Sequence, residues 1–121
     1  MNEGQAHALV ERQARAWERA DADAIAADFA PDAVFIAPGK SWHGPEAIRA
    51  AARAFFEHST DVRVAVTRIV FDGMQGAVEW MWSETRRVDG RRRTAEDAVI
   101  FSVRGDRIVY WREYIDTATL G

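Results

Sequence analysis

The C-terminal part of the chain alternates between apolar and polar positions in several runs. The runs are rich in Val, Ile, Trp, Tyr and Phe, and short breaks with Gly and Asp separate them. This pattern is typical of antiparallel strands joined by tight hairpins. We therefore predict strands over Val62–Phe71, Ala77–Val88, Thr94–Val103 and Arg107–Asp116.

The first half of the chain has a helical period instead. Leu9, Gln13 and Trp17 recur on one stripe, and Asp21 or Asp23 can cap the next helix. The predicted elements are a helix over residues 3–20, a helix over Ala24–Phe29, a strand over Ala33–Ala37, a loop over Lys40–His43 and a helix from Gly44-Pro45-Glu46 to about Glu57.

The order of these elements predicts the fold class. A chain of 121 residues is the size of one domain, so we predict a single domain over residues 1–121. Helices followed by a run of strands indicate an α+β fold, with three helices packed on one face of a curved, mainly antiparallel sheet. Such a sheet leaves a cone-shaped space, the kind of concave site that small molecules favour.

Alternation also predicts which side chains face that space. Asp97 and Phe101 share one face of their strand, and Trp111 and Glu113 share one face of theirs. A face that mixes several Trp with carboxylates suits neither solvent nor a core, so we interpret it as a pocket wall. The preceding strand adds, on one face, Trp80, Trp82, Glu84 and Arg86.

Composition excludes several kinds of chemistry. The chain has no Cys, hence no thiolate nucleophile, disulfide or cysteine zinc site. His7, His43 and His58 are scattered, so we predict no metal site. The N-terminus lacks signal-peptide features and no apolar run approaches the ~20 residues of a membrane span. We therefore expect a cytoplasmic protein without a membrane partner.

Five arginines lie near one predicted hairpin. They could form a nucleic-acid patch, but a solvated hairpin tip is the simpler interpretation at a net charge of −3. We therefore predict no nucleic-acid partner. The residues are Arg86, Arg87, Arg91, Arg92 and Arg93.

Several short motifs, in their order and spacing, resemble the nuclear transport factor 2-like superfamily and, within it, SnoaL-like and ketosteroid-isomerase-like proteins. The resemblance covers nearly the whole chain and implies a cone-shaped cystatin-like roll. It leaves the activity open, because this fold hosts isomerases, cyclases, dehydratases, hydrolases and binding proteins. The motifs are Trp17 with Ala20–Asp23, Phe29–Val34, Gly44–Ile48, Gly105–Ile108 and Trp111–Thr117.

Three family chemistries can be compared with the chain. The catalytic Asp of ketosteroid isomerases falls at Ala37, and their oxyanion Tyr and protonated Asp fall near Gln13 and Val99, so we do not expect classical isomerase activity. The Arg-x-Asp of limonene-epoxide-hydrolase-like proteins falls, with charges reversed, on Glu84-Thr85-Arg86. Its terminal partner would be Glu113 or Asp116. SnoaL-like cyclases use an Asp acid/base, for which Asp97 and Glu113 are the candidates.

Two functional hypotheses remain. The first is a cofactor-independent enzyme using carboxylate acid/base chemistry on an apolar, oxygenated, polyketide- or terpenoid-like substrate. Its candidate catalytic residues are Asp97, Glu113 and Glu84, and its candidate substrate-binding residues are Gln13, Trp17, Trp80, Trp82, Arg86, Phe101 and Trp111. The second is a non-catalytic ligand-binding or dimerisation module, in which the carboxylates pair with arginines or solvent and Gln13 is a core amide.

We also predict a homodimer. A half-apolar sheet face is rarely left bare, and the superfamily commonly pairs through this convex face. The residues expected there are Arg63, Ala65, Thr67 and Ile69 on one strand, Glu79, Met81 and Ser83 on the next, and Tyr110, Arg112 and Tyr114 on the last.

Overall fold

A computed structural model describes residues 1–116 of the chain and confirms the predicted α+β class. Three helices precede or interrupt the first strands, and four long strands follow. The elements are α1 (Glu3–Glu18), α2 (Ala22–Ala27), β1 (Phe29–Ala37), β2 (Lys40–His43), α3 (Gly44–His58), β3 (Ser59–Phe71), β4 (Gln75–Arg86), β5 (Arg92–Arg104) and β6 (Arg107–Ile115).

All six strands form one curved sheet in the order β2-β1-β6-β5-β4-β3. Every neighbouring pair is antiparallel except β1 and β6, which are parallel. β1 reaches β6 from the other end of the sequence, so the sheet places the start of the chain beside its last strand. The helices cover the inner face of this sheet, and the result is the expected cone.

The helices begin where the sequence places caps. Asn2 and Gln5 form a reciprocal capping box at the start of α1. The side chain of Asp21, rather than that of Asp23, accepts the Ala24 N–H at the start of α2. Pro45 occupies the first turn of α3, where its missing N–H costs nothing.

Two predicted boundaries were wrong. Lys40–His43 is the strand β2 rather than a loop, because the turn at Pro38-Gly39 folds it back so that Trp42 pairs with Phe35. The second helix ends at Ala27, and Phe29 begins β1 by pairing with Ile108. Burial of Phe29 in the core outweighs the weak local preference that extended the predicted helix.

β3 departs from strict alternation at two places, between Thr60 and Arg63 and between Val66 and Arg68. Each shift inserts an unpaired residue, which turns the following side chains to the opposite face. Ile69 therefore packs against the core and not on the convex face, where alternation had placed it. Ser59, by the same effect, is buried on the inner side.

β3 is also an edge strand, and α1 covers part of its edge. The carboxylate of Glu18 accepts the Val64 N–H at 2.9 Å, and Arg15 donates to the Val64 carbonyl at 2.6 Å. Arg15 and Glu18 form an ion pair with each other at 3.2 Å. The pair fixes α1 against the sheet.

One end of the cone is solidly filled. Trp111, Phe101 and Phe29 are at most 1% exposed there, and their rings lie 5.8 to 6.3 Å apart. Gly76 allows this packing, because a Cβ at that position would lie 2.9 Å from the Phe101 ring and 2.4 Å from the Val70 carbonyl oxygen. The other end of the cone is hollow.

Candidate functional site

The hollow end of the cone is a cavity of about 200 Å³. Residues from α1, α3 and five of the six strands line it. Most of them are apolar, and the polar exceptions are three carboxylic acids. The lining residues are Trp17, Phe35, Ala37, Trp42, Ile48, Ala51, Ala52, Phe55, Trp82, Glu84, Ala95, Asp97, Glu113 and Ile115.

A tryptophan indole holds each of the three acids. Trp80 Nε1 donates to Asp97 Oδ2 at 2.8 Å, across the β4–β5 pair. Trp82 Nε1 donates to Glu84 Oε1 at 3.3 Å, within one strand.

The third bond is longer, with Trp111 Nε1 3.5 Å from Glu113 Oε1. Glu84 has a second donor, because Ser59 Oγ donates to its other oxygen at 2.5 Å. Neutral donors thus orient the acids, and no cation does.

Basic side chains stay outside this cavity. Among residues 1–116, no Lys, Arg or His side chain lines it. Arg86, predicted as a substrate-binding residue, instead lies 3.9 Å from Asp89 at the β4–β5 hairpin. A shallow outer groove that includes Lys40, Arg112 and Asp116 also reaches Glu113.

Burial raises the pKa of both Asp97 and Glu113. Desolvation raises the pKa of Asp97 to about 6, although the bonds from Trp80 and the Ala98 backbone oppose the shift. Desolvation, and then the nearby charge of Asp97, raises the pKa of Glu113 to about 8, with the Trp111 bond opposing. Near neutral pH the two acids therefore share one proton.

Aromatic rings form much of the rest of the wall. Trp17, Phe55 and Trp82 contact one another with ring centroids 5.5 to 5.8 Å apart, at steep angles. Phe35 and Trp42 form another edge-to-face pair at 5.7 Å. Such packing holds the rings rigidly, so the wall keeps its shape without a ligand.

The structure brings together five of the ten predicted site residues as cavity lining. They are Asp97, Glu113, Glu84, Trp17 and Trp82. Trp80 and Trp111 lie one layer behind and bond to the acids. Phe101 is buried against Trp111 and Phe71, away from the cavity.

Gln13 belongs to a separate buried cluster. Its amide nitrogen donates to the Ile25 carbonyl at 3.0 Å and to Asp28 Oδ2 at 2.9 Å. Arg12 donates to the same carboxylate through two nitrogens. This geometry matches the interpretation of Gln13 as a core amide and leaves it off the cavity wall.

Sequence reasoning missed several lining residues. Ala95 continues the Asp97 alternation toward the strand start and could have been included. Phe55 lies in the predicted third helix and Trp42 in the predicted loop, and neither was named as a site residue. Ser59 does not line the cavity but bonds to Glu84, and it had no usable signal because the irregularity after Thr60 reverses its side. Asp61 has a positive φ of 51° at this irregularity, but an Asp in the sequence is only a weak signal for such a conformation.

Neither a metal-ligand cluster nor a membrane-spanning helix occurs in the part of the chain that the structure describes. Within residues 1–116 no group of three or more His, Cys, Asp or Glu is placed to hold a metal ion. No helix in the same part of the chain is long and apolar enough to cross a membrane.

Arginines near the predicted hairpin donate hydrogen bonds to neighbouring elements. Arg92 donates to Asp61 and Thr85, and Arg87 donates to the Phe56 carbonyl. These contacts anchor the hairpin on β3 and α3, as expected of a partly solvated tip.

The model of the SnoaL-like domain family matches residues 10–111, which is most of the chain. The protein therefore belongs to the SnoaL-like domain family. No curated protein matches the sequence significantly.

Solved structures share the fold at low sequence identity. A Catenulispora acidiphila protein with a ketosteroid isomerase-like fold, in complex with trimethylamine, is 19% identical with a TM-score of 0.88, over 93% of this chain and 88% of its own. An LEH-like epoxide hydrolase from M. tuberculosis is 23% identical with a TM-score of 0.84, over 97% and 86%. A putative SnoaL-like polyketide cyclase from Jannaschia is 18% identical with a TM-score of 0.84, over 96% and 88%.

Proposed function

We propose that this chain is a small-molecule enzyme that moves protons with Asp97 and Glu113. The observation that carries the proposal is the pairing of these two acids in one apolar cavity, with their pKa values raised to about 6 and about 8. Two titratable groups whose environments separate their pKa values are the usual basis for assigning a base and an acid.

The proposed reaction begins with a proton on a carbon next to a carbonyl group. The ionised Asp97 takes this proton while Glu113 gives its own proton to the carbonyl oxygen, which leaves a neutral enol. Glu113 is then the base and Asp97 the acid for the return step, whether that step is isomerisation, ring closure or loss of water. Such positioned proton transfer contributes about 10² to 10⁴ in rate.

Glu84 supports the pair without joining the transfer. Its two oxygens already accept bonds from Ser59 and Trp82, so it is fixed in place. The proposal keeps two predictions from the sequence: the reaction needs no cofactor and takes place in the cytoplasm.

Cavity size limits the substrate. An apolar cavity of about 150 Å³ admits benzene, and this one measures about 200 Å³. We therefore expect an oxygenated molecule with a single ring or the equivalent chain. A larger polyketide- or terpenoid-like substrate would place only its reacting end inside. The cyclase and epoxide hydrolase of similar fold belong to the same broad range of small-molecule enzymes.

A generic proton-transfer probe tests the proposal. The base takes the ring C–H proton of a nitro-substituted benzisoxazole, the nitrile forms as the N–O bond breaks, and the coloured phenolate is the product. We expect catalysis above that of an equal concentration of acetate, and a loss of about 100-fold or more in Asp97→Asn. The matched control is Glu79→Gln, an exposed carboxylate on the same sheet.

The outcomes separate the two functional hypotheses. No catalysis by the unmodified protein, or equal rates in Asp97→Asn, would contradict the proposed base. Binding of the probe, seen by tryptophan fluorescence without any turnover, would instead favour a ligand-binding module.

We also propose that the protein is a homodimer through the convex face of the sheet. Met81, Ile100 and Tyr114 are exposed there on three adjacent strands, at 36%, 42% and 52%. The Arg112 guanidinium lies over the Tyr114 ring, 4.9 Å from its centroid. Light scattering at micromolar concentration should give twice the chain mass, and Ile100→Glu should give a monomer. A monomer mass for the unmodified protein would contradict the dimer.

A further inference from the structure

We infer that the ligand of this cavity carries a basic nitrogen, whose positive charge lies between the three carboxylic acids and the aromatic wall. The inference rests on the proposal that the cavity is the functional site, and it names the class of molecule that the site takes. The class is an apolar frame of about one ring with a protonated amine.

The first support is the unusual charge of the cavity. Elsewhere this arginine-rich chain pairs acids with cations, as Arg104 does with Asp32 and Arg12 with Asp28. Glu84, Asp97 and Glu113 have only neutral donors. A buried carboxylate without a cation is costly, because desolvation is not offset. A cationic ligand supplies the charge that the protein itself omits.

The second support is an unused acceptor. Asp97 is 5% exposed, and its Oδ1 has no hydrogen-bond partner among residues 1–116, although its Oδ2 accepts the Trp80 indole. Buried polar atoms are nearly always bonded, so this oxygen calls for a donor beyond those residues, which a ligand can supply. An ammonium N–H is the donor that satisfies both the lone pair and the charge.

The aromatic wall is the third support. Five aromatic rings line the cavity: three are indoles, and the other two are phenyl rings in direct contact with these indoles. A cation within about 6 Å of a ring centroid is attracted to its face, most strongly by Trp. A cavity that combines carboxylic acids with several aromatic rings suits an ammonium group with apolar substituents. The rings are those of Trp17, Phe35, Trp42, Phe55 and Trp82.

A neutral or anionic ligand fits these observations less well. A hydroxyl group could donate to Asp97, but it would leave the charges of the acids uncompensated. An anion would meet like charge in a desolvated space. Trp17, whose indole N–H also has no acceptor, can bond to an oxygen on the same ligand. An amine that also carries an oxygen would satisfy both unused atoms.

Binding of a cation should also release a proton. The bound charge lowers the pKa of Glu113 from about 8, so part of the population releases this proton on binding, and affinity should rise as pH increases from about 6 to about 8; the part that stays protonated is the form that donates in the proposed reaction. The charged groups that face Glu113 are Asp97 and Glu84 inside the cavity, and Lys40, Arg112 and Asp116 in the outer groove. The lining residues from α1, α3, β1 and β2 carry no titratable side chain.

Three probes of one shape test the inference: benzylamine, benzyl alcohol and benzoate. Tryptophan fluorescence and calorimetry near pH 7 should show benzylamine binding at least tenfold tighter than the alcohol, and benzoate weakest. The binding enthalpies measured in phosphate and in Tris should differ for the amine, which shows proton release, and should agree for the alcohol and for benzoate. Asp97→Asn should reduce the preference for the amine, whereas Glu79→Gln should keep it.

Equal affinities for amine and alcohol, or tighter binding of benzoate, would overturn the inference. The benzisoxazole probe is neutral, so its turnover does not depend on whether the cavity prefers amines. Turnover of that probe without amine preference would reject the amine and keep the proton-transfer proposal. Amine preference without turnover would reject the proton-transfer step and keep a cation-binding site.

Discussion

Two buried acidic clusters lie in this small fold, and their partners differ. The Asp28 cluster joins Asp28 with Arg12 and Gln13, near the filled end of the cone. The cavity acids Glu84, Asp97 and Glu113 lie at the hollow end. Asp28 has a guanidinium and an amide as donors, while the cavity acids have indoles and one hydroxyl.

The difference separates a structural role from a functional one. A carboxylate that is paired with a cation and fully bonded holds elements together, here α1 and the start of β1. Acids that are desolvated without a cation destabilise the fold. Such acids are typical of functional sites, where they bind a ligand or transfer a proton. The two clusters therefore predict opposite responses to removal of charge.

The largest effect should come from Asp28→Ala. The change removes the carboxylate that accepts from the Arg12 guanidinium and leaves the fully buried Gln13 amide with the Ile25 carbonyl as its remaining acceptor. Because Arg12 is half exposed, we expect a loss of about 2–3 kcal/mol in the free energy of unfolding. Urea denaturation measures it. The control is Asp32→Asn, because the exposed pair of Asp32 with Arg104 should contribute little to the free energy of unfolding. An equally small loss in Asp28→Ala would contradict the structural role of the Asp28 cluster.

Glu113→Gln should show the opposite sign. An acid with a raised pKa in the folded state destabilises the fold as pH rises from its unfolded pKa to its folded one. For Glu113 that window runs from about 4.5 to about 8, with a slope of at most about 1.4 kcal/mol per pH unit. The melting temperature should therefore fall from pH 5 to pH 8 in the unmodified protein and should change less with pH in Glu113→Gln. An unchanged slope would mean that Glu113 is solvated.

A smaller effect is expected from Trp80→Phe, which keeps an aromatic ring but removes the donor to Asp97. Because that bond lowers the pKa of Asp97, its loss should move the pKa above about 6. Carbon-13 NMR titration of the side-chain carboxyl measures the shift. Trp42→Phe removes an indole that donates to none of the three acids, and it should leave the pKa of Asp97 in place. A shift of equal size in both variants would assign the effect to the wall as a whole.

Alternation and helical period predicted the direction of most side chains. Asp97, Glu84 and Glu113 were placed inward on that basis, and their strands keep that register. Gln13 was also correctly placed inward, but it lies beside Asp28 and not beside the cavity. Periodicity tells which side a residue faces; it does not tell whether that depth of the cone is filled or hollow.

Other features depend on tertiary structure that local patterns do not encode. Ser59 reaches Glu84 because of an irregularity in β3. Arg86 contacts Asp89 because β4 ends at Arg86 and the hairpin turn follows. The parallel pairing of β1 with β6 joins opposite ends of the sequence. These long-range events decide which predicted residues share the cavity.

The cover over β3 has a consequence for behaviour at high protein concentration. An exposed edge strand is a template on which a foreign strand can add, and many proteins aggregate by that route. Glu18 and Arg15 already occupy the outward N–H and C=O of Val64, in the middle of this edge. A visiting strand would have to break both bonds and displace an ion pair. The inner helix thus acts as a guard against fibre growth along the sheet.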